Sequence, residues 1–150
     1  MEKLLNNYTI EELKKKLELE PKPYKLFAVV AGIPVFTDTE KRLYPGEEFK
    51  EHPEVPVEVS NYGRIRYKGD ILLQIPDKKK PDPYGYLWIK IPDIRRKWHL
   101  VYRLVAETEW CVNPNRKLYK VVHHISNNGT DNQPSNLLWV TKEQHYKIHH

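Results

Sequence analysis

Near the start of the chain, Ile10, Leu13 and Leu17 recur at helical spacing, and Thr9 with Glu12 fits a capping box. A helix is predicted over about 10–19, stopped by Pro21 and Pro23. Residues 26–30 and 35–36 read as short strands around Gly32-Ile33-Pro34, and residues 37–55 are polar with a turn at Pro45-Gly46. From residue 56 the period shortens to two. Val57-Glu58-Val59 and Arg64-Ile65-Arg66-Tyr67 alternate on either side of a turn at Asn61-Tyr62-Gly63. Lys68-Gly69-Asp70 marks another turn, 71–75 a further strand, 77–83 a loop and 86–91 a strong strand. Leu100, Leu104, Val105 and Trp110 fall roughly on one helical face, which predicts a helix over 100–110 ended before Asn113-Pro114. Residues 119–125 then read as a strand, 126–135 as a loop rich in Asn, Gly and Pro, and 136–140 as a second strand. Thr141 caps a last helix, with Gln144 as its capping-box partner.

The pattern predicts an α+β chain. Residues 1–55 form an N-terminal extension or subdomain whose role is not legible, and 56–150 form a domain. That domain divides into a basic, β-rich platform with a helix (56–118) and a strand–loop–strand–helix unit (119–150). A length of 150 residues suits about one domain and can bury a core without staples. Cys111 is the single cysteine, which excludes an intramolecular disulfide framework and a Cys-based zinc ribbon. No apolar run reaches membrane-spanning length. The first residues show no secretion signal, so a cytoplasmic protein is expected.

Charge changes the picture more than composition does. The net charge is +5. Residues 1–55 carry nine Lys and Arg against eleven Asp and Glu, whereas 56–120 carry fourteen against seven. Residues 121–150 carry two against two, but hold five of the seven histidines. A phosphate-binding surface beside a histidine site is the arrangement this suggests.

His145 and His149 are four apart on the predicted helix, so both imidazoles can reach one point. A third ligand must come from elsewhere, and His123-His124 lies on the facing strand. Adjacent strand residues point to opposite sides, so only one of these two can join the helical pair on a metal. The other is left able to carry a proton. Ligands and a separate imidazole together meet the needs of metal-assisted phosphodiester hydrolysis. A lone helical His pair is most often only solvated; two pairs with a loop between them and a basic region upstream are jointly unusual.

His123-His124-Ile125, Asn136-Leu137 and His145-x-x-x-His149 resemble the motif of the HNH endonucleases, the ββα-metal nuclease fold. The spacing is similar to that of bacterial nuclease toxins of the colicin type and of phage HNH enzymes. Upstream, Val57-Glu58-Val59-Ser60-Asn61-Tyr62-Gly63-Arg64-Ile65 and Gly85-Tyr86-Leu87 look like the segment preceding the motif in phage and intron-homing endonucleases. Arg103-Leu104-Val105-Ala106-Glu107 is similar to the helix just before it. The resemblance covers about residues 55–150 and implies a DNA endonuclease, phage-encoded or carried by a mobile element. It implies one divalent ion held by His123, His145 and His149, with His124 as general base and Asn136 fixing the loop. Homing members often have Asp or Asn at the positions of His123 and the last helical His; all-His ligation looks more like the toxin nucleases. Imidazoles suit Zn, Ni or Mn, whereas Mg prefers oxygen ligands. A single motif implies nicking, with a homodimer needed for double-strand cuts.

Candidate DNA contacts are Lys78, Lys79 and Lys80, and Arg95, Arg96 and Lys97, although charge runs are often only solvated loops. Arg64 and Arg66 alternate on one strand face and are expected to line a DNA groove, with cross-strand pairing to Glu58 as the alternative. Arg103 is placed to reach the scissile phosphate, or else to pair with Glu107. Trp88, Trp98, Trp110 and Trp139 are expected in the core. Two rival readings are a metal-stabilised nucleic-acid-binding module without catalysis and a phage or mobile-element regulatory protein.

Overall fold

The computed structural model describes residues 29–30, 33–77 and 86–149, without the side chains of Val29, Val30, Ile33 and His149. The helix predicted over 10–19 and the Lys78-Lys79-Lys80 run lie outside the described residues. The fold is α+β. Two short strands, β1 (Val29–Val30) and β2 (Ile33–Pro34), pair with each other and lead into a 3-10 turn at Val35–Thr37. Residues 35–36 are therefore not a strand. Their turn is closed by the Asp38 amide donating to the Val35 carbonyl.

The platform contains two antiparallel sheets. The first orders β3 (Phe49–Glu51), β4 (Glu58–Ser60), β5 (Ile65–Tyr67) and β6 (Asp70–Ile71) as a meander. Strand β3 falls in the stretch expected to be polar connection, and its pairing with β4 carries the sheet across position 55/56. The second sheet orders β7 (Ile75–Pro76), β8 (Leu87–Lys90) and β9 (Trp98–Leu100). The strand expected over 71–75 is thus split between the two sheets. Helix α1 is shorter than predicted, Val101–Ala106, because Trp98–Leu100 pairs with β8 instead of opening a helical turn.

The C-terminal unit is a hairpin of β10 (Val121–His124) and β11 (Leu137–Val140), followed by helix α2 (Lys142–His149). Its start follows the predicted capping box. The Thr141 hydroxyl accepts from the Gln144 amide at 3.0 Å, and the Gln144 side chain accepts from the Thr141 amide at 2.9 Å. Such a cap is worth about 1 kcal/mol. Among the described residues, no helix is long and apolar enough to cross a membrane.

One continuous core joins platform and hairpin, with α1 between them. Val101, Leu104 and Val105 meet Val59, Leu87 and Ile89 of the platform and Leu137, Leu138 and Val140 of the hairpin, all buried. Two tryptophans tie the layers together. Trp110 donates its indole N–H to the Val59 carbonyl, and Trp139 donates to the Ala106 carbonyl, both at 2.8 Å. Trp98 departs from the core expectation and is 45% exposed, at the outer edge of the second sheet.

Candidate active site

The hairpin register pairs His123 with Leu138 and His124 with Leu137. Side chains alternate along β10, so the two histidines leave it on opposite faces. His123 points to the α2 side, where its ring centroid is 5.7 Å from that of His145, the planes inclined at 67°. His124 points to the α1 side. There Tyr102 presents an edge at 5.1 Å and Tyr86 stacks at 5.8 Å, while the Nε2 atom lies 2.8 Å from Asn132 Oδ1. Both histidines are buried. Burial penalises the charged ring and holds the His124 pKa below its ordinary value, with the Asn132 hydrogen bond opposing in part.

The loop between the strands is fixed by its own amides. Asn136 Oδ1 accepts from the Ser126 amide at 2.9 Å, and its Nδ2 donates to the Asp131 carbonyl at 2.8 Å. The Asn136 backbone carbonyl accepts from the Ile125 amide. One side chain therefore spans the loop from both ends, in keeping with the loop-fixing role the resemblance implies. Asn128 turns the loop tip by accepting from the amide and hydroxyl of Thr130.

For a metal, the donor chemistry is borderline-soft imidazole. Rings that share one ion sit a few ångströms apart, metal–nitrogen bonds being about 2.0–2.1 Å, and His123 and His145 do so. His149 follows on the same helix four residues later, but its side chain lies outside the described residues. Among the described residues, no three His, Cys, Asp or Glu side chains converge as a metal cluster.

The basic candidates separate sharply. Arg64 is fully buried. Its guanidinium donates to both Glu47 carboxylate oxygens and to the carbonyls of Glu40 and Arg42, and it stacks over Tyr44. Arg66 forms a two-bond pair with Glu58 at 3.1 and 2.9 Å and covers Phe49. The expectation that Arg64 lines a DNA groove is corrected, because its side chain is internal; Arg66 stays partly exposed and pairs across the sheet with Glu58, the alternative named for it. Arg95, Arg96 and Lys97 are exposed on the turn between β8 and β9.

Arg103 donates to the Lys120 carbonyl at 3.1 Å, lies over Trp139, and stands 3.8 Å from Glu107. Glu107 also accepts from His52 Nε2 at 3.1 Å, the other ring nitrogen of His52 taking the amides of Glu54 and Val55. Arg103 thus stands on the wall of a cleft of about 1030 Å³, with Glu107, His52 and Lys120 beside it.

Three residues around His124 were not among the expected site residues. Tyr86 stands just before β8 in the Gly85-Tyr86-Leu87 segment, and Tyr102 lies in α1. Asn132 was visible only as one of several loop amides.

Residues 114–147 match the family model described as HNH endonuclease. Two uncharacterized HNH endonucleases of Acanthamoeba polyphaga mimivirus are similar to the chain. One is 37% identical over 100 residues, covering 64% of this chain and 29% of the relative. The other is 32% identical over 97 residues, covering 61% and 24%. Among solved structures, the HNH homing endonuclease I-HmuI, described in terms of DNA binding and cleavage, matches with 30% identity and a TM-score of 0.53. That match covers 67% of this chain and 56% of the other. The chain therefore spans less than three tenths of the length of these curated relatives, and just over half of the homing enzyme.

Proposed function

We propose that this chain, which carries the HNH endonuclease motif within residues 114–147, is a metal-dependent endonuclease that hydrolyses DNA phosphodiesters. The observation that carries the reading is the division of labour on β10: His123 faces His145 of α2, while His124 faces away into a ring cluster. His123, His145 and His149 would hold one divalent ion, Zn, Ni, Mn or Mg. When bound, that ion supplies charge neutralisation at the scissile phosphate and the departing oxygen.

The chain's own residues do the rest. His124, kept neutral by burial, accepts a proton from the attacking water. Asn136 holds the loop that joins the base strand β10 to β11, which leads into the ligand helix. Arg95, Arg96 and Lys97, with Lys78, Lys79 and Lys80 earlier in the sequence, grip phosphates. The products are a 5′-phosphate and a 3′-hydroxyl. A single motif nicks one strand per encounter, and a homodimer would be needed to cut both.

The test is incubation with supercoiled plasmid in Mg, Mn, Ni and Zn, with an EDTA control. Conversion to the nicked circle in at least one metal, abolished by EDTA, is expected. No conversion in any metal, on single- or double-stranded DNA, would contradict the reading and favour a binding module without catalysis.

A further inference from the structure

Oδ1 of Asn132 faces His124 Nε2 at 2.8 Å, and both side chains are buried. An amide oxygen accepts, so the ring nitrogen opposite it carries the proton and Nδ1 keeps its lone pair. The reverse amide orientation would set Nδ2 against the ring, make Nε2 the acceptor and place the proton on Nδ1. In the orientation with Oδ1 toward the ring, Nδ2 has no partner among the described residues, and the ring tautomer is what separates the two orientations.

Asn132 is braced from outside its own loop. Gly63 stands in the β4–β5 turn with φ +87°, and a Cβ built there would lie 2.9 Å from the Asn132 backbone oxygen and 3.1 Å from its carbonyl carbon. Contacts that short with backbone are not tolerated. The Gly63 carbonyl in turn accepts from the buried Gln74 side chain at 2.8 Å, which fixes the turn from behind. The platform therefore reaches the loop at Asn132 only because position 63 has no side chain. Gly69, in the next turn of the same sheet, has nearly the same φ of +84° but nothing within 4 Å of its missing Cβ.

We infer that Asn132, seated against Gly63, is a positioning residue that holds His124 in the Nε2–H tautomer and leaves Nδ1 to take the proton from water. This rests on the proposed role of His124 as base. It adds a purpose for the platform: its β4–β5 turn sets the orientation of a side chain in the active site.

The tautomer is read by long-range ¹⁵N–¹H NMR of the metal-free full chain, well above the ordinary imidazole pKa of about 6.5, with His124→Ala identifying the signals. The Nε2–H form is expected in the wild-type protein and in Asn132→Asp, which keeps an acceptor. Asn132→Ala should lose the single tautomer. Gly63→Ala should lose it too, whereas Gly69→Ala, with the same positive-φ strain and no contact, should retain it. In plasmid cleavage, Asn132→Ala should lower kcat with KM and metal affinity held, and Asn132→Asp should restore part of the loss. An Nδ1–H ring in the wild-type protein, or an unchanged ring in folded Asn132→Ala, would overturn the inference. Thermal melting establishes folding; if Gly63→Ala does not fold, Asn132→Ala and Asn132→Asp still decide. An inactive wild-type protein would remove the nuclease reading and leave the tautomer result standing, so the two failures are distinguishable.

Discussion

Arg64 in the platform and His124 in the C-terminal hairpin are both buried polar groups, yet their surroundings are built differently. Arg64 spends its hydrogen bonds on one carboxylate and two carbonyls, with Tyr44 over its face. That site is closed, and the guanidinium has become a structural bolt between residues 40–47 and β5. Among the described residues, His124 has one hydrogen-bond partner at one ring nitrogen, and two tyrosine rings around it, of which Tyr86 is 39% exposed. A charge buried for stability is compensated on every side. On the proposed reading, His124 is desolvated, which lowers its pKa, and keeps a ring nitrogen for the reaction.

The largest expected effect lies in the platform. Arg64→Ala leaves the Glu47 carboxylate buried without its counter-charge, and should cost about 3–5 kcal/mol in denaturant unfolding. A loss within the range of a surface substitution would show that the pair is not a bolt. Acid sharpens the same point. Burial is the largest single influence and would raise the Glu47 pKa, but the Arg64 hydrogen bonds, those from the Tyr44 amide and Ser60, and the Arg64 charge together hold it below the ordinary value. A depressed folded-state pKa gives stability that is present above the ordinary carboxylate range and lost as pH falls through the folded value. Glu47→Gln should therefore flatten the acid limb of stability against pH, and an unaltered limb would contradict this.

On the hairpin, His123→Ala and His145→Ala should each leave the fold in place and weaken divalent-metal binding in calorimetry. The loss should exceed the roughly 10–100-fold typical of removing an outer-shell partner. Unchanged affinity in both variants would move the metal elsewhere. The smallest effect should come from the exposed turn. Replacing Arg95, Arg96 and Lys97 together should weaken DNA binding and flatten its salt dependence by about one slope unit per lost phosphate contact. An unchanged slope would shift the grip to other residues.

What could be read from the sequence follows the range of the interactions involved. The Thr141–Gln144 box, the turn at residues 60–63 and the two histidine pairs are set by residues within four positions of each other, and all are found where the pattern placed them. Arg64 was misread because its partner Glu47 is 17 residues away, in a stretch that looked like polar connection. Alternation with Arg66 suggested one shared face; the sheet buries Arg64 and leaves Arg66 half-exposed. The start of α1 was misplaced because Leu100 and Leu104 share a helical period, while the pairing of Trp98–Leu100 with β8 is a contact no local pattern records. At the site itself the histidines were legible and their setting was not. Tyr86, Tyr102 and Asn132 converge on His124 from a strand start, a helix and a loop.

The central claim is that His124 works as a base and not as a ligand. It is tested most directly by measuring plasmid cleavage and metal affinity together for His124→Ala at saturating metal. The account predicts unchanged affinity with a cleavage rate lowered about 10²–10⁴-fold. Full cleavage by that variant, or a loss of rate that follows a loss of metal, would contradict it.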